Sequence, residues 1–247
     1  NYNLVISSVS NFVNIIFNSV ISSFGNLIAT ESREKQYNMF CIYRFFASWI
    51  YGFSAVGFYI LLTPLISLWI GDKWILPGAV IAAILIDYYF KGERVVLSNY
   101  KTAAGVFEQD KYLPLIQGAV NLIISVALVI KIGLLGVYIG TIISGLLANI
   151  IRPVIIYKVC FERKAAVYFY DAVRYISVII LAAVCCVMCS NVFMKEITIA
   201  SFAIMAVIIT LIFNGIFLLF FGRTSEFRYL YAIFRDKVYS VINRRHR

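Results

Sequence analysis

Apolar residues run through this chain in long blocks, at about 4–29, 43–70, 75–98, 113–131, 134–157, 173–192 and 197–221, separated by short polar stretches. A hydrocarbon core about 30 Å thick takes about 20 apolar residues of helix. The pattern therefore predicts an all-α, polytopic transmembrane helical bundle of about seven spans over residues 1–221. Residues 222–247 form a basic tail. The polar stretches at 30–38, 71–74, 100–112, 131–133, 158–171 and 193–196 are expected to be the connections.

Lys and Arg set the orientation, because cytoplasmic loops retain them. Of the 22, only Lys73, Lys131 and Lys195 fall on one side of the predicted bundle. The other nineteen flank the opposite ends, among them Arg33, Lys35 and Arg44, Lys91 to Lys111, Arg152 to Arg174, and the tail. The N-terminal end is thus expected outside and the C-terminus in the cytoplasm. This asymmetry accounts for the net charge of +10 without nucleic-acid binding. The tail spaces Phe227, Tyr231, Phe234, Val238 and Ile242 at helical intervals among basic residues, which predicts an amphipathic helix on the bilayer surface. A partly disordered polybasic tail that only fixes topology is the alternative.

The composition agrees: 62% of residues are hydrophobic and 14% charged, where a soluble domain carries about a quarter charged. The one His, His246, leaves the body of the chain without His-based metal sites or Ser-His-Asp and Cys-His chemistry. No phosphate loop, HExxH or EF-hand pattern is present, nor a pair of carboxylates spaced for acid–base work, so neither a cofactor nor enzymatic activity is expected. The five Cys lie mostly in apolar runs, and Cys186 and Cys189 are expected to pack as free thiols. The chain opens at Asn1 on a helical pattern with no signal-peptide features and is expected to be part of a longer protein.

Polar residues inside the spans are the candidate chemistry. In the first span Ser7, Asn11, Asn14, Asn18, Ser22 and Gly25 fall within roughly 80° of one another at 100° per residue. Such a face must meet other helices or water, either as interhelical hydrogen-bonding glue or as the wall of a hydrated cavity. In the third span Asp87, Lys91, Arg94, Ser98 and Lys101 share one face, with Asp87 roughly 16 Å from the outer boundary at 1.5 Å per residue. Ionisable groups at that depth predict a cavity lining that handles an anionic headgroup or a coupling cation, H+ or Na+. A structural salt bridge, or a helix that ends early, is the bland alternative. Glu93 points to another face, and Gly92 offers a place for a local break. Arg44 and Arg152 are weaker cavity candidates, the latter beside Asn149 and Pro153. Pro64 and Pro153 lie inside spans and Pro77 and Pro114 near helix starts, while Gly136, Gly140, Ser144 and Ala148 form a small-residue packing ridge.

The order and spacing of several pieces resemble a known family. The opening NYNLVISS helix closing in GNLIATE at 25–31, LWIG at 68–71, Arg94 followed by SNYKTAAGVFEQDKYLP at 98–114, and GVYIGTIIS at 136–144 leading to Pro153 and Tyr157–Lys158 are the pieces concerned. Together they are similar to bacterial polysaccharide flippases of the multidrug/oligosaccharidyl-lipid/polysaccharide exporter superfamily. The likeness covers about residues 1–165. It implies the C-terminal half of a transporter with about fourteen helices in the bacterial cell membrane, the N-terminal half of the same transporter being its partner. It further implies a polar cavity through which rocking of two bundles carries an undecaprenyl-pyrophosphate-linked oligosaccharide to the outer leaflet. Arg94, Lys91 and Asp87 are then the first cavity candidates, followed by Asn14, Asn18 and Asn11, then Arg44 and Arg152. A seven-helix receptor lacks its Asn-Pro-x-x-Tyr here, and a retinal protein its Lys in the seventh span. A membrane-embedded polymerase or glycosyltransferase, and a cation-coupled drug exporter, are the alternatives.

Overall fold

The structure, a computed structural model, describes residues 1–193 and 196–245, with side chains as far as 236. Lys195, His246 and Arg247 lie outside the described residues, and Val238 and Ile242 of the expected tail stripe lie outside the described side chains. Among the described residues there is no strand and every regular element is helical. The order is α1 (Tyr2–Asn18), α2 (Ile21–Thr30), α3 (Arg33–Ile70), α4 (Gly78–Ala103), α5 (Leu113–Ile132), α6 (Leu134–Val159), α7 (Ala166–Phe193), α8 (Ile199–Phe221) and α9 (Ser225–Arg245), with 3-10 turns at Asp72–Trp74 and Glu108–Asp110.

Among the described residues six helical segments are long and apolar enough to cross a membrane: Tyr2–Thr30, Arg33–Ile70, Glu108–Ile132, Leu134–Val159, Ala166–Phe193 and Ile199–Phe221. The remaining expected span, the third, is α4, which has the length but not the apolarity, because Asp87, Lys91, Glu93 and Arg94 crowd its centre. The first expected span is two helices, interrupted at Ser19–Val20. The stretch 30–38, expected to be a connection, is mostly helix: α3 begins at Arg33, capped by the Ser32 hydroxyl accepting from the Lys35 N–H at 3.4 Å. At 1.5 Å per residue its 38 residues extend about 57 Å, well beyond a hydrocarbon core. Likewise α7 starts seven residues ahead of the expected 173 and α4 runs on to Ala103.

Prolines and glycines act locally as the sequence leads one to expect. Pro77 is the N-cap of α4 and Pro114 lies in the first turn of α5, where no intrahelical N–H is lost. Gly133, at φ +61, is the entire connection between α5 and α6, a backbone conformation that disfavours a side chain. Gly136 and Gly140 lie against Leu128 and Ser125 so closely that a Cβ on either would collide with backbone, so the small-residue ridge of α6 is a packing face. Helix α4, by contrast, shows no break at Gly92. Its missing side chain admits the Tyr51 ring, whose carbons lie 2.2–2.6 Å from where a Cβ would sit.

The core is built around α3, against which α1, α2, α4, α7, α8 and α9 all pack. Aromatic rings dominate it. Phe45 meets Tyr175, Phe217 and Phe221 at 5.4–5.9 Å, while Phe40, Tyr100, Tyr157 and Phe161 close its other end. Such rings contribute about 0.5–1.5 kcal/mol per pair beyond their buried area. The α5–α6 hairpin is attached differently. Helix α6 packs along α4 and α5 packs on α6, and only at the end of α6 does Tyr157 reach the rings of Tyr37, Phe40 and Tyr168. The five cysteines are free thiols, Cys186 fully buried.

Candidate functional site

Helix α4 carries charge on two faces, and the structure treats them differently. On the face toward α6, Asp87 sits nine residues into the helix, about 14 Å from its start. Its carboxylate is ion-paired with Lys91 Nζ at 2.6 Å and accepts from Arg94 Nη2 at 3.5 Å. Arg94 continues the chain of contacts, donating to Asn149 Oδ1 of α6 at 3.4 Å, while Asn149 Nδ2 donates to the Phe90 carbonyl. Gly145 makes room for the guanidinium: a Cβ there would stand 2.4 Å from Arg94 Nη1. Further along the same face Arg152 Nη1 donates to Ser98 Oγ at 3.1 Å, and Asp110 accepts from Arg152 Nε at 3.1 Å and Lys101 Nζ at 2.6 Å.

These groups total four cations, Lys91, Arg94, Lys101 and Arg152, against two carboxylates, Asp87 and Asp110. The cluster keeps a formal excess of two positive charges. Asp87 and Asp110 are buried, whereas the Lys91 side chain remains 60% exposed, so the positive end of the cluster faces outward. Cationic donors of this kind suit phosphate or carboxylate oxygens, with Arg94 and Arg152 able to present two N–H groups in parallel.

The opposite charged face belongs to Glu93, and the sequence reading gave it no role. Its carboxylate accepts from Arg44 Nε of α3 at 3.2 Å and from Tyr168 Oη of α7 at 3.3 Å, and makes a short hydrogen bond with Ser48 Oγ. The Arg44 guanidinium lies 3.4 Å from the centre of the Tyr168 ring. Only 3% of the Arg44 side chain and 7% of that of Glu93 meet the surface, so Arg44 is removed from the open cluster and ties three helices together. Its Nη2 is buried without a partner among the described residues. The helical position of Arg44 was legible in the sequence; its partner, 49 residues away, was not.

The polar face of the first span is only partly engaged by other helices. Asn14 accepts from Tyr51 Oη at 2.7 Å, and Asn18 accepts from Asn99 Nδ2 of α4 at 3.2 Å. Ser7, Asn11 and Ser22 are exposed, and among the described residues Asn11 has no hydrogen-bond partner. Where the helix is interrupted, the Phe17 carbonyl accepts from Val20 N at 3.3 Å and from two side chains, Tyr43 Oη at 2.8 Å and Asn99 Nδ2 at 3.2 Å. Side chains thereby satisfy backbone that the interruption frees, the condition for irregular structure within an apolar bundle. Neither Tyr43 nor Asn99 stood out in the sequence, since a Tyr and an Asn on helical faces carry no signal of what they clamp.

Comparison with protein-family models, curated proteins and solved structures returned no match. The site's chemistry therefore carries the functional argument. Among the described residues no group of His, Cys, Asp and Glu is placed to hold a metal ion.

Proposed function

We propose that this chain is part of a multi-pass transporter in a bacterial cell membrane. It moves an undecaprenyl-pyrophosphate-linked oligosaccharide from the inner to the outer leaflet for surface polysaccharide assembly. The observation that carries the reading is the cationic α4–α6 cluster. Groups of one sign in excess, set within a helix flanked by apolar spans, are costly in lipid unless they serve a polar cargo or pathway. Arg94, Lys91 and Arg152 are the groups for the pyrophosphate, with Asn149 and Ser98 holding the arginines. Asp87 keeps Lys91 and Arg94 paired until an anion takes its place, and it is the group to receive a coupling cation, H+ or Na+.

The exposed polar residues Ser7, Asn11 and Ser22 support a second bundle across a hydrated cavity, the N-terminal half of the same transporter, with Asn11, Asn14 and Asn18 available to sugar hydroxyls. The polyprenyl chain stays in lipid. The segments resembling flippases, above all Arg94 with 98–114, support the same cargo.

Deletion of the parent gene, with surface polysaccharide and lipid-linked oligosaccharide quantified together, tests this. The expected result is completed lipid-linked units trapped on the cytoplasmic leaflet. Unchanged surface glycan would overturn the cargo, leaving a drug exporter; units that are never completed, or that stay unpolymerised outside, would indicate a glycosyltransferase or polymerase instead.

A further inference from the structure

A groove of about 360 Å³ runs between α9 and the flank made by α2 and α3. Val20 and Phe24 form one wall, Phe46 another, and Leu230 and Ile233 of α9 the third. Its lining is almost wholly apolar. Of the two tyrosines there, Tyr43 already gives its hydroxyl to the Phe17 carbonyl and Tyr229 belongs to the exposed side of α9. Helix α9 is fixed beside the groove by Phe227, whose ring lies 5.8 Å from Trp49 of α3.

The other arc of α9 is basic. At 100° per residue Arg228 and Arg235 stand roughly 160° from the direction of Leu230 and Ile233, and both are exposed. Over 222–247 the sequence has seven Lys and Arg against Glu226 and Asp236 alone. A helix with an apolar arc toward a groove and a basic arc on its outer side lies in the interface between acyl chains and headgroups. A basic surface there attracts anionic lipid.

We propose that the α2–α3–α9 groove is a docking site for an anionic phospholipid of the inner leaflet. An acyl chain fills the groove and the negative headgroup lies among the arginines of α9. This inference does not depend on the transport reading. Its structural consequence follows from two lining residues: Val20 is at the interruption between α1 and α2, and Tyr43 clamps the carbonyl which that interruption frees. An acyl chain in the groove therefore braces the broken helix from outside.

The full chain, purified and incubated with vesicles of phosphatidylcholine alone or of equal parts phosphatidylcholine and phosphatidylglycerol, is then stripped with detergent, and its retained lipid counted by native mass spectrometry. Phosphatidylglycerol is expected to be retained in preference, about fivefold less for each of Arg228→Gln and Arg235→Gln. Ile233→Trp, which fills the groove, is expected to abolish retention while the protein still melts at the wild-type temperature. Equal retention of the two lipids would overturn the charge assignment, and full retention by Ile233→Trp would overturn the groove. Should Ile233→Trp melt early, Leu230→Phe decides between the same two outcomes.

Discussion

The two charged faces of α4 use similar chemistry to opposite ends. Toward α3 and α7, Glu93 and Arg44 form a pair sealed from the surface and surrounded by Ser48 and Tyr168; toward α6, Asp87 holds two cations, one of which stays 60% exposed. Charges are balanced on the first face and in excess on the second. A sealed, balanced pair fixes the mutual position of helices, whereas an open, unbalanced cluster retains capacity for another anion. Burial and balance, more than residue type, separate a structural ion pair from a candidate binding group.

Breaking the sealed face has the largest expected effect. Glu93→Ala leaves Arg44 charged and buried without its carboxylate, a change that costs about 3–5 kcal/mol. Membrane levels of the protein should collapse, as measured by quantitative blotting. Replacing both partners, Arg44→Met with Glu93→Met, should recover most of that loss, since two apolar side chains leave no charge unpaired. If the single variant accumulates normally, the sealed pair is not structural. Next comes Gly92→Ala, which drives a methyl into the Tyr51 ring. Overpacking of this kind costs about 1–3 kcal/mol, read as a lowered melting temperature in detergent.

The open face should respond in function and hardly in stability. Loss of charge-assisted hydrogen bonds to a phosphate group corresponds to about 1.5–3 kcal/mol, so Arg94→Ala should slow transport about ten- to a hundredfold while the protein accumulates normally. Lys91→Ala, which removes an exposed charge, is expected to cost about two- to fivefold, measured as surface polysaccharide in the deletion background. A loss of stability in Lys91→Ala matching that of Glu93→Ala would erase the distinction between the faces.

Much of this was readable from sequence where periodicity carries the information. The face shared by Asp87, Lys91, Arg94, Ser98 and Lys101 follows from 100° per residue, and the ridge at Gly136 and Gly140 from small residues four apart. What escaped depends on distant partners. Glu93 meets Arg44 across 49 positions, and the interruption at Ser19–Val20 contains neither Pro nor Gly. It is clamped by Tyr43 and Asn99, 26 and 82 positions from Phe17. The expected seven apolar spans became six because α4 is bounded by hydrophobic residues at its start yet has four ionic groups near its middle. Hydropathy alone could not show that all four have partners on α3 or α6, or on α4 itself.

The central claim, that the α6-facing cluster of α4 handles an anionic cargo while the α3-facing pair only holds the fold, is tested most directly by Arg94→Ala in the gene-deletion background. Level-matched protein would be scored for export of lipid-linked oligosaccharide and for melting temperature in detergent. Wild-type abundance, a melting temperature well above that of Glu93→Ala, and trapped lipid-linked units are expected. Full export by Arg94→Ala at wild-type abundance would contradict it.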